Sequence, residues 1–521
     1  MKRTIPLAIL AFSAASPTAF AQIGSLDPTF ATAGIGTYQP GNLHDTGYDI
    51  VTLNDNSMLV CGVTYHNSKF AAFLTHILED GSVDAAFGEA NGYTYFQAGE
   101  ETYAYSIVLG LDSSIFLSGT AYPDYTQQTI FLAHTSAMGI PDAAFGTDGA
   151  IYLGIGTGDA EIQDMLLQPD GKIVLAGRQG FGSLAQSLFM RYMPDGTLDT
   201  TFNGTGISAV DGSNEDENLF GVARLEDGSI VGVGYGLVNF SQHNLLVKLD
   251  ADGMPDAAFG TAGAINFTAG GINETARDVV AKASSFTVVG STTPNNSDQD
   301  GYISKFNSDG SFDASFGTGG TTINDFGELD LFIGLARQND GNYVVCGTTG
   351  PGGFLGDRSV VAVRYNTDGS LDQTFGDMGK TLTNVGTSFD ETDGIAIQPD
   401  GKIVASGVTG GVNSGLNNDM IVLRYLVDGT ISISNNAATA GEILLFPNPV
   451  NGTKTTLNLR NGNGAEVWTS DLQGRTIGKS IKIPKGITSL ALEVKDMAAG
   501  IYLVNVLIQG KITTLKMQVA E

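Results

Sequence analysis

Two cysteines, one tryptophan and five histidines are all that 521 residues contain of those types, and 26 Lys and Arg stand against 55 Asp and Glu. Two thiols cannot staple a chain this long, so packing must hold it. No Cys-x-x-Cys, His-Glu-x-x-His, Gly-x-Ser-x-Gly or phosphate-loop pattern occurs. The classes that announce themselves by those patterns are therefore not indicated. A net charge of −29 has the wrong sign for a nucleic-acid backbone or an anionic membrane surface, and no nucleic-acid partner is expected. No segment approaches 18 unbroken apolar residues, so no transmembrane segment is expected in the mature chain. Glycine is abundant, with 70 residues, but not at every third position, which excludes a collagen helix. The apolar fraction of 42% excludes a disordered chain.

The first 21 residues read as an export signal. Lys2 and Arg3 precede an apolar stretch from Ile5 to Phe12, and Ala19-Phe20-Ala21 gives a small-x-small cleavage pattern, so the mature chain is expected to begin at Gln22.

One pattern then recurs: SLDPTF, SVDAAFG, IPDAAFG, TLDTTFN, MPDAAFG, SFDASFG and SLDQTFG. Its phenylalanines are Phe30, Phe87, Phe145, Phe202, Phe259, Phe316 and Phe375, spaced by 57 to 59 residues. The third unit reads as four short strands: AIYLGIG, EIQDMLLQ, KIVLAGR and SLFMRYM. Its turns are Pro169-Asp170-Gly171 and Pro194-Asp195-Gly196, where glycine accepts the positive φ of a tight turn. Four strands make one twisted sheet, which must be covered by neighbours. Seven units between Leu26 and Gly429 fit radial stacking into a β-propeller.

The chain ends add an argument for closure. A basic residue lies five positions before each closing turn glycine, and the repeat's Asp follows eight residues later. The pairs are His76 with Asp84, His134 with Asp142, Arg191 with Asp199, Lys248 with Asp256, Lys305 with Asp313, and Arg364 with Asp372. Arg424 lacks such an Asp, and Asp27 lacks a preceding cation, so a closed ring would join Asp27 to Arg424. A residue repeated in every unit serves the scaffold more often than a ligand, and these pairs read as structural ties between sheets. The two histidine ties should weaken as pH rises.

The Asp-Gly turns also invite a calcium reading. Asp250, Asp252, Gly253 and Asp256 resemble part of an EF-hand loop, as do Asn307, Asp309, Gly310 and Asp313, and Asn366, Asp368, Gly369 and Asp372. The full loop fails, because its first ligand would fall on Lys248, Lys305 or Arg364 and its closing Glu on a phenylalanine. Turn chemistry accounts for these residues, no cofactor is expected, and calcium would be incidental. Cys61 and Cys346 occupy the same strand position in units one and six, too far apart for a disulfide. Residues 22–440 carry 15 basic and 49 acidic side chains, and residues 442–521 nine and six. The carboxylates offer many acid pairs for glycan hydrolysis, and nothing in the sequence selects one. Loops such as Gly180 to Ser183, Pro294 to Asp300 and Pro351 to Asp357 vary between units, and binding function usually lives on such loops.

The unit resembles the delta-60 repeat family, on the match of Gln168 to Gly177 with Arg191 to Phe202, and of Gln398 to Val404 with Arg424 to Gly429. The fifth unit departs, with Ala281 to Ser285 replacing the central turn. The resemblance covers about 400 residues. It implies a fold and no established activity.

After a polar linker at residues 431–441, the last 80 residues offer seven short strand candidates, which suggests an Ig-like β-sandwich. Pro447, Asn448 and Pro449, then Asp471, Gly474 and Arg475, then Gly500 and Tyr502, stand in the order and spacing of the type A sorting domain of the type IX secretion system. That resemblance implies a Bacteroidetes-type bacterium and an outer-membrane translocon as partner. It also implies a chain secreted or anchored at the outer-membrane surface after crossing the inner membrane.

The expected protein is thus all-β: a signal peptide at 1–21, a seven-bladed β-propeller of 57–59-residue repeats at 22–430, a linker at 431–441, and a β-sandwich sorting domain at 442–521. Its expected role is non-enzymatic binding or adhesion toward an extracellular protein or glycan. The alternative is a glycan-active hydrolase or lyase that uses carboxylates in the central funnel.

Overall fold

The computed structural model describes residues 22–427 apart from 42, 90, 126, 156–157, 183–184, 214, 295–297, 328, 352–356, 387–388 and 411–417. It also describes 443–519 apart from 447–453, 460–462, 471–475, 488, 496, 499 and 509–510. The signal and linker expectations therefore lie outside the described residues. The chain divides into two compact units, Met1–Gly429 and Thr430–Glu521.

The described strands of the first unit form seven four-stranded antiparallel sets. The first comprises Leu43–Thr52, Met58–His66, Lys69–Ile77 and Tyr93–Phe96. The second comprises Glu101–Leu109, Ile115–Tyr122, Thr129–Thr135 and Ala150–Leu153, and a single bridge from Phe70 to Glu101 joins it to the first. The third comprises Ala160–Leu167, Ile173–Gln179, Gln186–Tyr192 and Ile207–Val210. The fourth holds Glu217–Arg224, Ile230–Val238, Ser241–Leu249 and Ala264–Phe267. The fifth holds Ile272–Lys282, Ser285–Thr293, Asp300–Asn307 and Thr321–Asn324. The sixth holds Leu329–Arg337, Tyr343–Gly350, Ser359–Tyr365 and Lys380–Thr383. The seventh takes Phe389–Ile397, Ile403–Gly410 and Asn418–Tyr425 from the end of the unit and Ile35–Tyr38 from its start.

That last set corrects the sequence reading of one sheet per unit. The strand that opens a unit, such as Ala150–Leu153, pairs with the preceding strand Thr129–Thr135 and not with the strands that follow it. The Asp-x-x-Phe-Gly segment is the turn that folds this outer strand back onto its own sheet, so each sheet is offset from its sequence unit. The offset leaves the seventh sheet one strand short at the chain's end, and Ile35–Tyr38 fills the gap in register with Met420 to Leu423.

Packing follows from strands buried on both faces. Ile173 and Leu175 pack toward Phe116, Ile130 and Leu132 of the second sheet, while Val174 and Ala176 pack toward Leu219 and Leu245 of the fourth. Each fully buried Val, Leu, Ile or Phe among them stabilises the fold by about 1.5–3 kcal/mol. The repeat phenylalanines form a second layer. All seven are at most 2% exposed, and Phe87, Phe145, Phe202, Phe259 and Phe316 each lie under the turn of the following unit. A Cβ on Gly253 would sit 2.5 Å from the Phe202 ring, which explains why the turn ends in glycine.

Every inner strand carries a β-bulge within its pairing to the second strand, for example between Ile162 and Asp164. The bulge pushes a carbonyl over the second strand, and the residue beneath it is glycine in all seven sheets. A Cβ on Gly177 would lie 2.0 Å from Glu161 O, and one on Gly347 would lie 1.9 Å from Leu331 O. The fifth unit's missing turn is a tight two-residue connection between Lys282 and Ser285, with Ala283 at φ 54°.

The second unit holds two sheets, one of Ile443–Phe446, Lys454–Leu459 and Ser489–Glu493, the other of Asn463–Ser470, Thr476–Lys485, Gly500–Ile508 and Lys511–Val519. Leu457, Val467, Leu492, Val504, Val506 and Met517 form its core.

Candidate functional site

The seven bulges put one residue from each sheet at the same level of the ring: Tyr48, Tyr105, Gln163, Phe220, Arg277, Ile333 and Asp393. All seven are partly exposed, although the residues just before most of them are buried. The backbone repeats here and the side chains do not. Arg277 of the fifth sheet and Tyr48 of the first both lie in the electrostatic field of Asp393 and Glu391 of the seventh, and these groups line the central channel of the ring.

Around them lies a cluster of aromatic and charged groups. Tyr48 and Tyr105 meet edge to face at 5.0 Å, Tyr103 stacks on Tyr105 at 5.8 Å, and Tyr122 meets Tyr103 at 6.1 Å. The Arg277 guanidinium lies 4.5 Å from the Phe220 ring centre. Arg178 Nε donates to Glu161 at 2.9 Å, and its Nη1 lies 3.8 Å from Asp216, which accepts the Tyr235 hydroxyl at 2.8 Å. Arg358 Nη1 lies 3.7 Å from Glu391. The Tyr103 hydroxyl donates to Glu101 at 2.7 Å.

Burial shifts these groups in a consistent direction. It raises the carboxyl pKa of Glu391 against the pull of Arg358 and Arg277, and raises Asp393 well above the usual range with the help of Glu391. It raises Tyr48, Tyr103 and Tyr105, and it lowers Arg277 against the opposing fields of Glu391 and Asp393. The Gln186 and Arg178 ends of their strands place the loop after Gln179 at this same mouth of the channel, so the variable loop from Gly180 lies beside the cluster.

One residue further along each inner strand, a belt closes the ring. Asp49 accepts from Ile50 N and, across the junction, from Ile107 N at 2.9 Å. Ser106 Oγ donates to Asp164 at 2.9 Å. Asp164 accepts from Val222 N at 2.8 Å, and Asp278 accepts from Leu335 N at 2.7 Å. At the remaining junctions the equivalent residue is glycine, and the strands touch directly. A Cβ on Gly334 would lie 2.7 Å from Asp393 O, and one on Gly394 would lie 2.8 Å from Asp49 Cα. Sequence reasoning missed this belt. Its signal was present, because Asp49, Asp164 and Asp278 each precede an apolar residue in alternate units.

Enclosure raises these belt carboxyls, Asp49 to about 7, Asp164 to about 6 and Asp278 to about 8. For Asp278, burial and the like charge of Asp164 outweigh the amides of Leu335 and Val279. A folded value above the unfolded one means that the folded state holds more protons between the ordinary carboxylate range and about 8. The contribution is complete at low pH and is lost as pH rises through that window. Urea midpoints taken from pH 5 to pH 8 should therefore fall more steeply for the native chain than for Asp278→Asn, by at most about 1.4 kcal/mol per pH unit. Equal slopes would contradict the shift.

The repeated ion pairs lie at the Asp-Gly turn end of the sheets. Arg191 Nε is 2.7 Å from Asp199, Lys248 3.0 Å from Asp256, Lys305 3.1 Å from Asp313 and Arg364 3.3 Å from Asp372. His76 and His134 Nδ1 each lie 3.1 Å from Asp84 and Asp142. Arg424 Nε lies 3.0 Å from Asp27. The cations also reach the next sheet's turn: Arg191 donates to Ala251 O at 2.8 Å, Lys248 to Ser308 O at 2.9 Å and Arg424 to Glu79 O at 2.6 Å. Burial alone would raise Asp199, but the Thr201 hydroxyl, Lys172, the Thr201 amide and Arg191 hold it well below the usual carboxylate range. These pairs thus serve mainly to hold each sheet to its own turn and to the next.

The turn carboxylates proposed for calcium are similarly engaged. Asp250 accepts from Asp252 N and Met254 N at 2.9 Å, and Asp309 and Asp368 accept from the amide and hydroxyl of Ser311 and Ser370. Cys61 and Cys346 are buried free thiols, facing Ala104 O at 3.6 Å and Gly394 O at 3.7 Å.

Of the sorting-motif residues, Pro447, Asn448, Pro449, Asp471, Gly474 and Arg475 lie outside the described residues. Gly500 opens a strand, and the Tyr502 hydroxyl donates to Ala498 O at 2.9 Å.

The sheets, the ring and the tail define an all-β repeat propeller followed by a small sandwich. The family described as "Domain of unknown function (DUF5122) beta-propeller" matches residues 168–202, 220–259, 287–316, 338–375 and 398–431. The family described as "Secretion system C-terminal sorting domain" matches residues 444–520. The chain thus carries DUF5122 β-propeller repeats and a secretion-system C-terminal sorting tail, and that tail implies handling by the type IX machinery and secretion to the cell surface or beyond. No curated protein sequence matches the chain. Among solved structures, the polysaccharide lyase Uly1 is 11% identical over 79% of this chain and 98% of its own, with a TM-score of 0.42. Drosophila Semaphorin 1b, extracellular domains 1–2, is 9% identical over 77% of this chain and 87% of its own, with a TM-score of 0.38. The subtype N11 neuraminidase-like protein of a flat-faced bat influenza A virus is 11% identical over 79% and 97%, with a TM-score of 0.34. At these scores neither activity nor partner transfers to the chain.

Proposed function

We propose that the exported propeller binds an extracellular carbohydrate at the mouth of its central channel. The observation that carries this reading is the set of seven bulges, which repeat one backbone and present seven positions with little repetition of side chain. Aromatic faces next to paired Arg and carboxylate groups suit a sugar ring, which has an apolar face and a rim of hydroxyls. The ring cations are consumed by the scaffold, whereas Arg178, Arg277 and Arg358 stand at the channel among acids and tyrosines. The test is a glycan screen on the full chain followed by calorimetric titration of each hit. Saturable binding that channel substitutions abolish supports the reading. A screen without hits, or hits indifferent to the channel, overturns it.

A second reading, cleavage of a bound glycan, is favoured by Glu391 and Asp393. Carboxyls kept protonated by burial can donate a proton near neutral pH. Release of new sugar ends by the native chain and its loss in Glu391→Gln would support this reading.

The tail's role in delivery has its own test. A chain lacking residues 442–521 should accumulate in the periplasm, and mass spectrometry of secreted native protein should locate its C-terminus. Unchanged delivery of the truncated chain would refute sorting by the tail.

A further inference from the structure

Three carboxylates converge where the fifth sheet meets the sixth. Asp300 opens the third strand of the fifth sheet, Asp325 follows its outer strand, and Asp330 stands at the start of the next inner strand. One oxygen of each lies within 4.8 Å of the others. Asp330 is fully buried and Asp300 is 6% exposed. Asp330 accepts from Phe326 N at 2.7 Å and from the Thr349 hydroxyl, and Asp325 accepts from Gly327 N at 2.7 Å. Asp300 Oδ1 is buried and has no hydrogen-bond partner among the described residues. No salt bridge closes on any of the three among the described residues. Lys380, the cation that acts on Asp330, holds its ammonium 3.9 Å from the centre of the Phe326 ring.

The fold supplies an internal comparison. Gly301 pairs with Asn324 as Met420 pairs with Tyr38, so Asp300 and Asp325 stand where Asp419 and Gln39 stand at the junction of the chain ends. Asp330 with Thr349 likewise matches Asp45 with Thr64. At the chain-end junction the Gln39 amide donates to Asp419 at 2.9 Å, so the donor balances the acceptors. In the fifth sheet the donor is replaced by a third carboxylate. Of the seven junctions, this is the one where all three positions are acidic.

We propose that Asp300, Asp325 and Asp330 form a binding site for a divalent cation of the oxygen-preferring class, with calcium as the fitting ion. The donor set is all carboxylate, without nitrogen or sulfur, which suits a hard cation. The three groups come from two strands and the turn after a third, and calcium tolerates such irregular shells better than magnesium does. The bound ion would join the fifth sheet to the inner strand of the sixth. This site is separate from the channel cluster and from the Asp-Gly turns.

The test uses the full chain stripped with a chelator. Calorimetric titration with calcium chloride should show one saturable site per chain, and the melting temperature should rise by a few degrees when calcium exceeds its Kd about a hundredfold. Asp325→Gln, which restores the donor found at Gln39, should abolish the site and the shift while melting no lower than the native chain without calcium. Asp252→Asn, in an Asp-Gly turn, should keep both. Retention of calcium binding by Asp325→Gln would overturn the proposal. So would the absence of any saturable calcium site up to about 10 mM, beyond the weakest range of protein calcium sites.

Discussion

Replacing Arg424 by alanine is expected to destabilise the propeller by about 3–5 kcal/mol, the range for removing one partner of a buried ion pair. The Arg424 and Asp27 side chains are 2% and 1% exposed, and the pair joins residues nearly 400 positions apart in sequence. Arg424 also donates to Glu79 O and to Thr29 Oγ1, and its guanidinium lies 4.6 Å from the Phe30 ring centre. The alanine variant would leave Asp27 buried with Lys402, 3.6 Å away, as its remaining cation. Burial works against the Asp27 charge, but Thr29, Arg424 and Lys402 together hold its carboxyl below the usual range. A lowered folded value gives stability that is present above the unfolded carboxylate range and is lost as pH falls through the folded one. The Arg424→Ala deficit should therefore shrink in acid. The control is Lys305→Ala, because Lys305 and Asp313 are 22% and 21% exposed and water screens them. That variant should cost about 1 kcal/mol or less. Urea midpoints of the three proteins decide the matter. Equal midpoints for Arg424→Ala and the native chain would mean that the first and last strands hold together without this pair.

Tyr105→Ala and Arg277→Met are each expected to weaken glycan binding ten- to a hundredfold, or about 1.4–2.8 kcal/mol. Tyr105 touches both Tyr48 and Tyr103, so its loss opens the aromatic surface at its middle. Arg277 faces Glu391 and Asp393 and covers Phe220, so methionine keeps the bulk and removes the charge. Both side chains sit on bulges that leave ladder hydrogen bonds to their neighbours, and the fold should survive their replacement. Calorimetric titration of a screened glycan, with circular dichroism as the fold control, measures the effect. Unchanged affinity in both variants would remove the channel from the proposed function.

Much of the scaffold was legible because it is written seven times. The buried phenylalanine, the cation paired with its Asp, and the second-strand glycine under the inner-strand carbonyl recur from sheet to sheet, so selection for packing leaves a period. The channel is different. Tyr48, Tyr105, Gln163, Phe220, Arg277, Ile333 and Asp393 share a backbone position and little chemistry, and no period points to them. The belt stood between these cases. Asp49, Asp164 and Asp278 recur in alternate units, while Gly334 and Gly394 do the same work by letting strands touch. A pattern that alternates between a carboxylate and a bare backbone is hard to see without knowing that both serve a junction.

The sequence by itself determined the all-β character, the repeat length, the turn positions and the sorting tail, because strand alternation and turn chemistry are local. Only the tertiary structure decided which strand completes which sheet, since a hairpin's partner depends on the fold of the Asp-x-x-Phe-Gly turn and not on its strand propensity. It alone decided which acids meet. Of the 49 carboxylates at residues 22–440, ring closure brings Glu391 and Asp393 to Arg277, and strand pairing brings Asp300 to Asp325 and Asp330. Charges far apart along the chain acquire chemistry only when burial and proximity set their energies together.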